Sequence, residues 1–120
     1  FIIYKNIIKG EKMEGKYEVC FVLRSDLPDD EVEKEIEYIE KVLVNGGAKI
    51  FKKENLGRKI LAYPIKKRTE GIYFVFYFTA PGTIKETIDS LKLRENILRY
   101  LLIRRKILPH EEIINAESQS

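Results

Sequence analysis

The chain has 120 residues and a mass of 14.1 kDa, the usual size of one globular domain. Hydrophobic residues make up 44% and charged residues 34%, so the composition supports a buried core and excludes intrinsic disorder. A net charge of +3 identifies no class of partner. No apolar run approaches the roughly 20 residues of a membrane span, and Cys20 is the one cysteine. We therefore expect a cytoplasmic domain without a membrane partner or a disulfide.

The two ends of the chain lack the patterning of its middle. Residues 1–15 are apolar and basic at their start but lack the long apolar segment of a secretory signal, so they are interpreted as an N-terminal extension. Residues 107–120 contain Ser, Gln, Asn and Glu and are interpreted as a flexible C-terminal tail. A single domain is predicted between them, over residues 16–106.

The first predicted strand covers residues 17–23, which alternate with period 2 and are apolar on both sides, as in a central strand. The first helix is predicted to carry Pro28 in its opening turn, where the fixed φ of proline is favourable. Its buried stripe is predicted from the i, i+4, i+7, i+11 spacing of four residues: Val32, Ile36, Ile39 and Leu43. Gly46 and Gly47 are expected to end it.

The second predicted strand runs unevenly from Ala48 to Ile65. Gly57 suggests a bulge, and Pro64 favours an edge position because it would remove a ladder hydrogen bond from a central strand. Residues 66–71 are predicted to form the turn that follows. Residues 72–80 are the most β-prone stretch of the chain and are predicted to form a second central strand.

The last two elements follow a break at residues 81–82. Thr83 and Glu86 have the spacing of a capping box at the start of a second helix. Ile84, Ile88 and Leu91 are predicted to be its buried stripe, and residues 97–105 to form the last strand. The order β-α-β-β-α-β predicts an α+β, ferredoxin-like sandwich, with a four-stranded antiparallel sheet and two helices on one face. The first and third strands lie in the middle of such a sheet.

Charge is segregated along the chain. Residues 26–41 have a net charge of −6, residues 49–68 of +7 and residues 92–106 of +5. The acidic segment is interpreted as the solvated face of a helix. The two basic segments favour a polyanionic partner, because clustered cations gain most from a polyanion.

Catalytic, metal and cofactor motifs are missing from the sequence. His110 is the one histidine and has no second histidine or cysteine to complete a zinc site. None of the serines has a histidine base in context, and the glycines do not form a phosphate-cradling loop. We therefore predict a protein that is not an enzyme and has no metal, no cofactor and no small-molecule substrate.

Residues 70–77 come close to the octapeptide of RNA-recognition modules, which share the predicted fold. Gly71, Phe74, Val75 and Tyr77 match it. Glu70 replaces a basic residue, and two further positions also depart from it. An alternative function is therefore a free-standing single-strand RNA-recognition module that stacks bases on sheet aromatics such as Phe74 or Tyr77.

Two segments carry a family resemblance. Residues 57–66 read Gly-Arg-Lys-Ile-Leu-Ala-Tyr-Pro-Ile-Lys, and residues 92–99 read Lys-Leu-Arg-Glu-Asn-Ile-Leu-Arg. Both resemble segments of the sixth-protein family of the bacterial small ribosomal subunit, and the match extends from Tyr17 to about Arg105. The extension at residues 1–15 exceeds the usual start of the family.

The resemblance implies a structural ribosomal protein without catalysis. It would bind the central domain of small-subunit ribosomal RNA together with small-subunit ribosomal protein eighteen, as a heterodimer. The residues that the motif implies for RNA binding are Lys16, Lys92, Arg94, Asn96 and Arg99. Those that it implies for the partner protein are Arg58, Lys59, Tyr63 and Ile65, with Tyr63 as an anchor.

Overall fold

A computed structural model describes residues 14–108. The strands are β1 (Gly15–Arg24), β2 (Lys49–Ile65), β3 (Arg68–Ala80) and β4 (Ile97–Arg105). The helices are α1 (Asp29–Asn45) and α2 (Ile84–Ser90), and a short 3-10 turn (Leu91–Leu93) follows α2. The predicted extension and tail lie almost entirely outside the described residues. Leu108, which the prediction assigns to the tail, is buried.

The four strands form one antiparallel sheet in the order β2-β3-β1-β4, so the predicted ferredoxin-like fold is confirmed. The two strands that are apolar on both sides, β1 and β3, are the central pair. Their register places Phe21 opposite Phe74 and Val19 opposite Phe76. Alternation along each strand turns these side chains toward the helices.

The main core lies between the sheet and the two helices. Ile39 and Leu43 of α1, and Ile84 and Ile88 of α2, are fully buried there, as the helical spacing predicts. The α1 stripe contains one surprise, because Glu35 is buried while its neighbour Ile36 is only partly buried. Within the described residues, no helix has the length and apolar character needed to cross a bilayer.

The two ends of α1 differ slightly from expectation. Pro28 precedes the first helical residue as its N-cap, with φ −61° and ψ 154°, and is not part of the opening turn. Asp29, Asp30 and Glu31 occupy that turn, where negative charge complements the helix dipole. Gly47 ends the helix with φ +97°, so the predicted left-handed terminus is confirmed.

The predicted capping box at the start of α2 is wrong. Thr83 has helical dihedrals and its side chain makes no capping hydrogen bond. The amides of Lys85 and Glu86, which a Thr83 cap would bond, instead donate to the carbonyls of Gly82 and Thr83, at 3.2 and 3.1 Å. A tight backbone turn therefore satisfies the donors that a Thr side chain would otherwise bond.

In the β2–β3 hairpin, the predicted bulge at Gly57 is confirmed, and the turn is shorter than predicted. Gly57 has φ +79°, its amide donates to Asn55 Oδ1 at 2.8 Å, and the strand register shifts at this point. The predicted turn over residues 66–71 is wrong in length, because Ile65 still pairs with Arg68. Pairing across the hairpin leaves Lys66 and Lys67 alone at the tip.

Beyond the last pairing of β3 with β1, at Gly71, the hairpin continues as an arm of residues 60–70. This hairpin arm packs on the sheet face that the helices do not cover. Leu61 forms a second small core there with Val22 and Leu98. Gly71 permits this approach, since a Cβ at that position would lie 2.4 Å from Val22 Cγ1.

Candidate nucleic-acid and protein interface

The connection between α2 and β4, residues 91–96, is held by the buried carboxylate of Glu35. Arg94 donates to it with two nitrogens, Nε to Oε1 and Nη2 to Oε2, the latter at 2.9 Å. Asn96 Nδ2 donates to the same Oε2 at 3.5 Å. The Glu35 side chain is 4% exposed and that of Arg94 36%. Two residues predicted to bind RNA are thus engaged inside the protein.

Charge and stacking reinforce this ion pair. The Arg94 donors lower the pKa of Glu35 against the opposing effect of burial, and the carboxylate raises the pKa of Arg94 in return. The Arg94 guanidinium also lies 3.8 Å from the centre of the Tyr38 ring. The helical spacing indicates that Glu35 is buried, because it lies three residues after Val32 and four before Ile39, on the apolar stripe.

Lys92 projects from the same connection. Its Nζ lies 3.1 Å from Asp89, whose carboxylate also accepts a hydrogen bond from Tyr100 Oη at 2.8 Å. These two donors lower the pKa of Asp89. The Lys92 side chain is 57% exposed, so its ammonium group is accessible despite the ion pair.

Arg99, in contrast, faces the hairpin arm. Its Nη1 donates to Tyr63 Oη at 2.5 Å, and its guanidinium lies 5.8 Å from the centre of the Tyr63 ring. The sequence assigns Arg99 to RNA and Tyr63 to a protein partner, on opposite edges of the sheet. The structure brings the two side chains together, because the arm folds over the open face.

Lys16 lies at the other end of that face. It is opposite Arg105 in the β1–β4 register, and Arg105 Nη1 donates to Glu18 Oε1 at 2.8 Å. Arg105 also lies 5.7 Å from the centre of the Tyr77 ring. Lys16 is therefore separated along the strand from the other residues predicted to bind RNA.

The four residues predicted for the protein partner divide into two pairs. Arg58 donates from Nε to the carbonyl of Ser25 at 3.2 Å, and Ile65 packs against the second core. Lys59 and Tyr63 are exposed, and Tyr63 keeps 58% of its surface. Lys59 Nζ lies 6.0 Å from the centre of the Tyr73 ring and forms no ion pair with an acid in the part of the chain described.

An ion-pair cluster holds the hairpin arm beside its tip. Asp26 accepts hydrogen bonds from Arg24 at 2.9 and 3.2 Å and from Arg68 at 3.1 Å. The Arg24 guanidinium, with a smaller contribution from Arg68, lowers the pKa of Asp26 to about 2. The β1–α1 loop thus binds the arm close to its tip.

The sheet aromatics of the alternative function face in different directions. Phe74 is buried under the helices and cannot stack a base, so its proposed role in single-strand recognition is wrong. Tyr77 lies on the open face, half-buried, and burial raises the pKa of its hydroxyl. Of the two residues named for stacking, Tyr77 alone lies on the open face, and one half-covered ring does not form a two- or three-base platform.

The open face carries a small pocket. Cys20 lies in it beside Val22 and Leu101, and burial raises the pKa of the thiol. Among residues 14–108, no three His, Cys, Asp or Glu side chains are grouped as a metal site requires.

Known proteins are similar to the part of the chain that forms the sheet and helices. A family model described as ribosomal protein S6 matches residues 16–104. Small ribosomal subunit protein bS6 of Campylobacter hominis is 39% identical over 89 residues, which are 73% of this chain and 61% of that protein. The bS6 protein of Nitratiruptor is 40% identical over 89 residues, with coverages of 73% and 70%. This chain therefore spans less than two thirds of the first relative.

A solved structure is also similar. The crystal structure of 30S ribosomal protein S6 from Thermotoga maritima superposes with a TM-score of 0.71 at 31% sequence identity. The match covers 89% of this chain and 99% of that one.

Proposed function

Because this chain belongs to the ribosomal protein S6 family, we propose that it binds the central domain of small-subunit ribosomal RNA as a heterodimer with small-subunit ribosomal protein eighteen. Members of the family are structural, non-enzymatic proteins of the bacterial small subunit, located on the cytoplasmic ribosome. The domain at residues 16–106 would make these contacts, and the proposal assigns no contact to residues 1–15 or 107–120.

The contact between Arg99 and Tyr63 carries the proposal. It joins the basic segment on β4 to the basic segment on β2, so that both face one side of the sheet. Ribosomal RNA and a second protein that bind together need neighbouring surfaces. The hairpin arm provides this adjacency across a sheet face that no helix covers.

We assign unequal roles to the five residues proposed for RNA binding. Lys92, Arg99 and Lys16 would supply positive charge to phosphates, which position a protein without reading sequence. Arg94 and Asn96 would act mainly by fixing the connection between α2 and β4, since Glu35 already engages both. On the protein side, Tyr63 and Lys59 would contact the partner while Arg58 and Ile65 hold the arm in place.

Salt dependence of RNA binding tests these roles. The assay measures binding of a central-domain transcript in the presence of protein eighteen, at a series of salt concentrations. Arg99→Met should reduce the slope of log affinity against log salt by roughly 0.7 to 0.9, the effect of one lost phosphate contact. Arg94→Met should change the slope less, because Glu35 neutralises its charge. Lys85→Met, at an exposed position of α2, is the control.

Two results would contradict the proposal. One is a full-length chain that binds neither the transcript nor protein eighteen. The other is an equal loss of slope for Arg94→Met and Lys85→Met with none for Arg99→Met, which would place the RNA on the helical side of the protein.

A further inference from the structure

The tip of the hairpin arm has a strained backbone. Lys66 and Lys67 have φ angles of +50° and +66°, and in the described chain they are the two non-glycine residues with positive φ. Two-residue turns of this type favour Asn followed by Gly, because both central residues adopt left-handed dihedrals. Side chains with a Cβ are disfavoured there. Local strain of this kind is retained where the residues have another use.

The charges at this tip are not neutralised by nearby acids. Neither lysine forms an ion pair with an acidic side chain of residues 14–108, and both are exposed. Glu70 is the one acidic residue of the arm and lies opposite Ile60, several residues from the tip. The tip therefore concentrates two positive charges at the end of the hairpin.

The base of the tip is held firmly. Arg68, next to Lys67, is bound to Asp26 at 3.1 Å, and Ile65, next to Lys66, packs against the second core. The two lysines are presented on a fixed support, so a ligand would not have to order the turn itself. This lowers the entropic cost of binding.

An anion of phosphate type fits the tip better than a protein surface. Lysine is depleted in protein interfaces, and the tip offers no apolar side chain to bury. Two adjacent ammonium groups suit successive or neighbouring backbone phosphates, which need charge without a fixed hydrogen-bond fork.

We propose that Lys66 and Lys67 form a phosphate-binding tip that contacts the backbone of ribosomal RNA, in addition to the residues of β4 and the α2–β4 connection. This inference rests on the proposed function. The family resemblance assigns the residues next to the tip to the protein-binding surface. The inference assigns the tip itself to the RNA-binding surface.

The double substitution Lys66→Asn with Lys67→Gly tests the tip, because it installs the residues that this turn prefers. The variant should unfold about 5 °C higher, since the strain is relieved. Its salt slope for binding the central-domain transcript with protein eighteen should fall by roughly 1.4 to 1.8, the effect of two lost contacts. Stability and RNA binding would then change in opposite directions, which a folding defect cannot produce.

Two control variants separate charge from backbone. Lys66→Arg with Lys67→Arg keeps both charges and should bind RNA as the unaltered chain does. Lys34→Gln with Lys85→Gln removes two exposed lysines from the helices and should leave the slope unchanged.

The outcomes distinguish this inference from the proposed function. Normal binding by the unaltered chain with an unchanged slope in the Asn-Gly variant would overturn the inference alone. Weaker binding of that variant to protein eighteen without RNA would assign the tip to the protein interface and also overturn it. An unaltered chain that does not bind the transcript would overturn both.

Discussion

The connection between α2 and β4 and the tip of the hairpin arm are both basic in sequence, yet the structure treats their charges differently. At the connection, Arg94 is paired with a buried carboxylate from the acidic helix and Lys92 with Asp89. At the tip, Lys66 and Lys67 form no ion pair with an acid of the described residues. Net charge along a sequence therefore overstates the first region as a binding surface and understates the second.

The difference has a physical origin. The nearly fully buried carboxylate of Glu35 loses hydration and needs a cation to compensate, so it engages Arg94 of the connection. A lysine at an exposed hairpin tip keeps its hydration and needs no partner. The same residue class thus stabilises the fold in one place and remains available to a ligand in the other.

Displacing the arm should produce the largest effect. Gly71→Ala places a Cβ 2.4 Å from Val22 Cγ1 and 3.3 Å from the Leu23 carbonyl, in the central pair of strands. We expect unfolding free energy to fall by about 3 kcal/mol, the upper range for an overpacked site. Chemical denaturation measures the change. Gly82→Ala, where a Cβ would meet nothing within 4 Å, is the control, and an equal loss there would refute the explanation.

Removing the buried charge should have the next largest effect. Glu35→Gln leaves Arg94 without its counter-charge, and we expect a loss of about 2 kcal/mol, less than for a fully buried pair because Arg94 is partly exposed. Glu33→Gln, at an exposed position of the same helix, should change stability by less than about 0.5 kcal/mol. If Glu35→Gln were as harmless as its control, the contrast between the two basic regions would fail.

The smallest effect concerns the Asp26 ion-pair cluster beside the tip of the arm and appears only in acid. The pKa of Asp26 lies at about 2 in the folded chain against its ordinary 3.8. A lowered pKa contributes stability that is present above about pH 4 and is lost as the pH falls toward 2. Asp26→Asn should therefore flatten the pH dependence of the urea midpoint over this window. Asp30→Asn is the matched control, and similar curves for both variants would contradict the assignment.

Local patterns were sufficient for most of the fold. Alternation identified β1 and β3 as the central strands, and helical spacing identified Ile39, Leu43, Ile84 and Ile88 as core. Gly47 and Gly57 were predictable because positive φ strongly favours glycine. The capping box at Thr83 failed because a backbone turn competes for the same donors.

The sequence by itself determined the order of the elements, the family and the presence of two basic segments, because each depends on residues close together in the chain. Only the tertiary structure decided which charges are neutralised and which surfaces meet. Glu35 finds Arg94 and Tyr63 finds Arg99 across 59 and 36 residues. Such pairings depend on how α1 packs against the α2–β4 connection and on how far the hairpin arm folds over the sheet, which are properties of packing that no local pattern encodes.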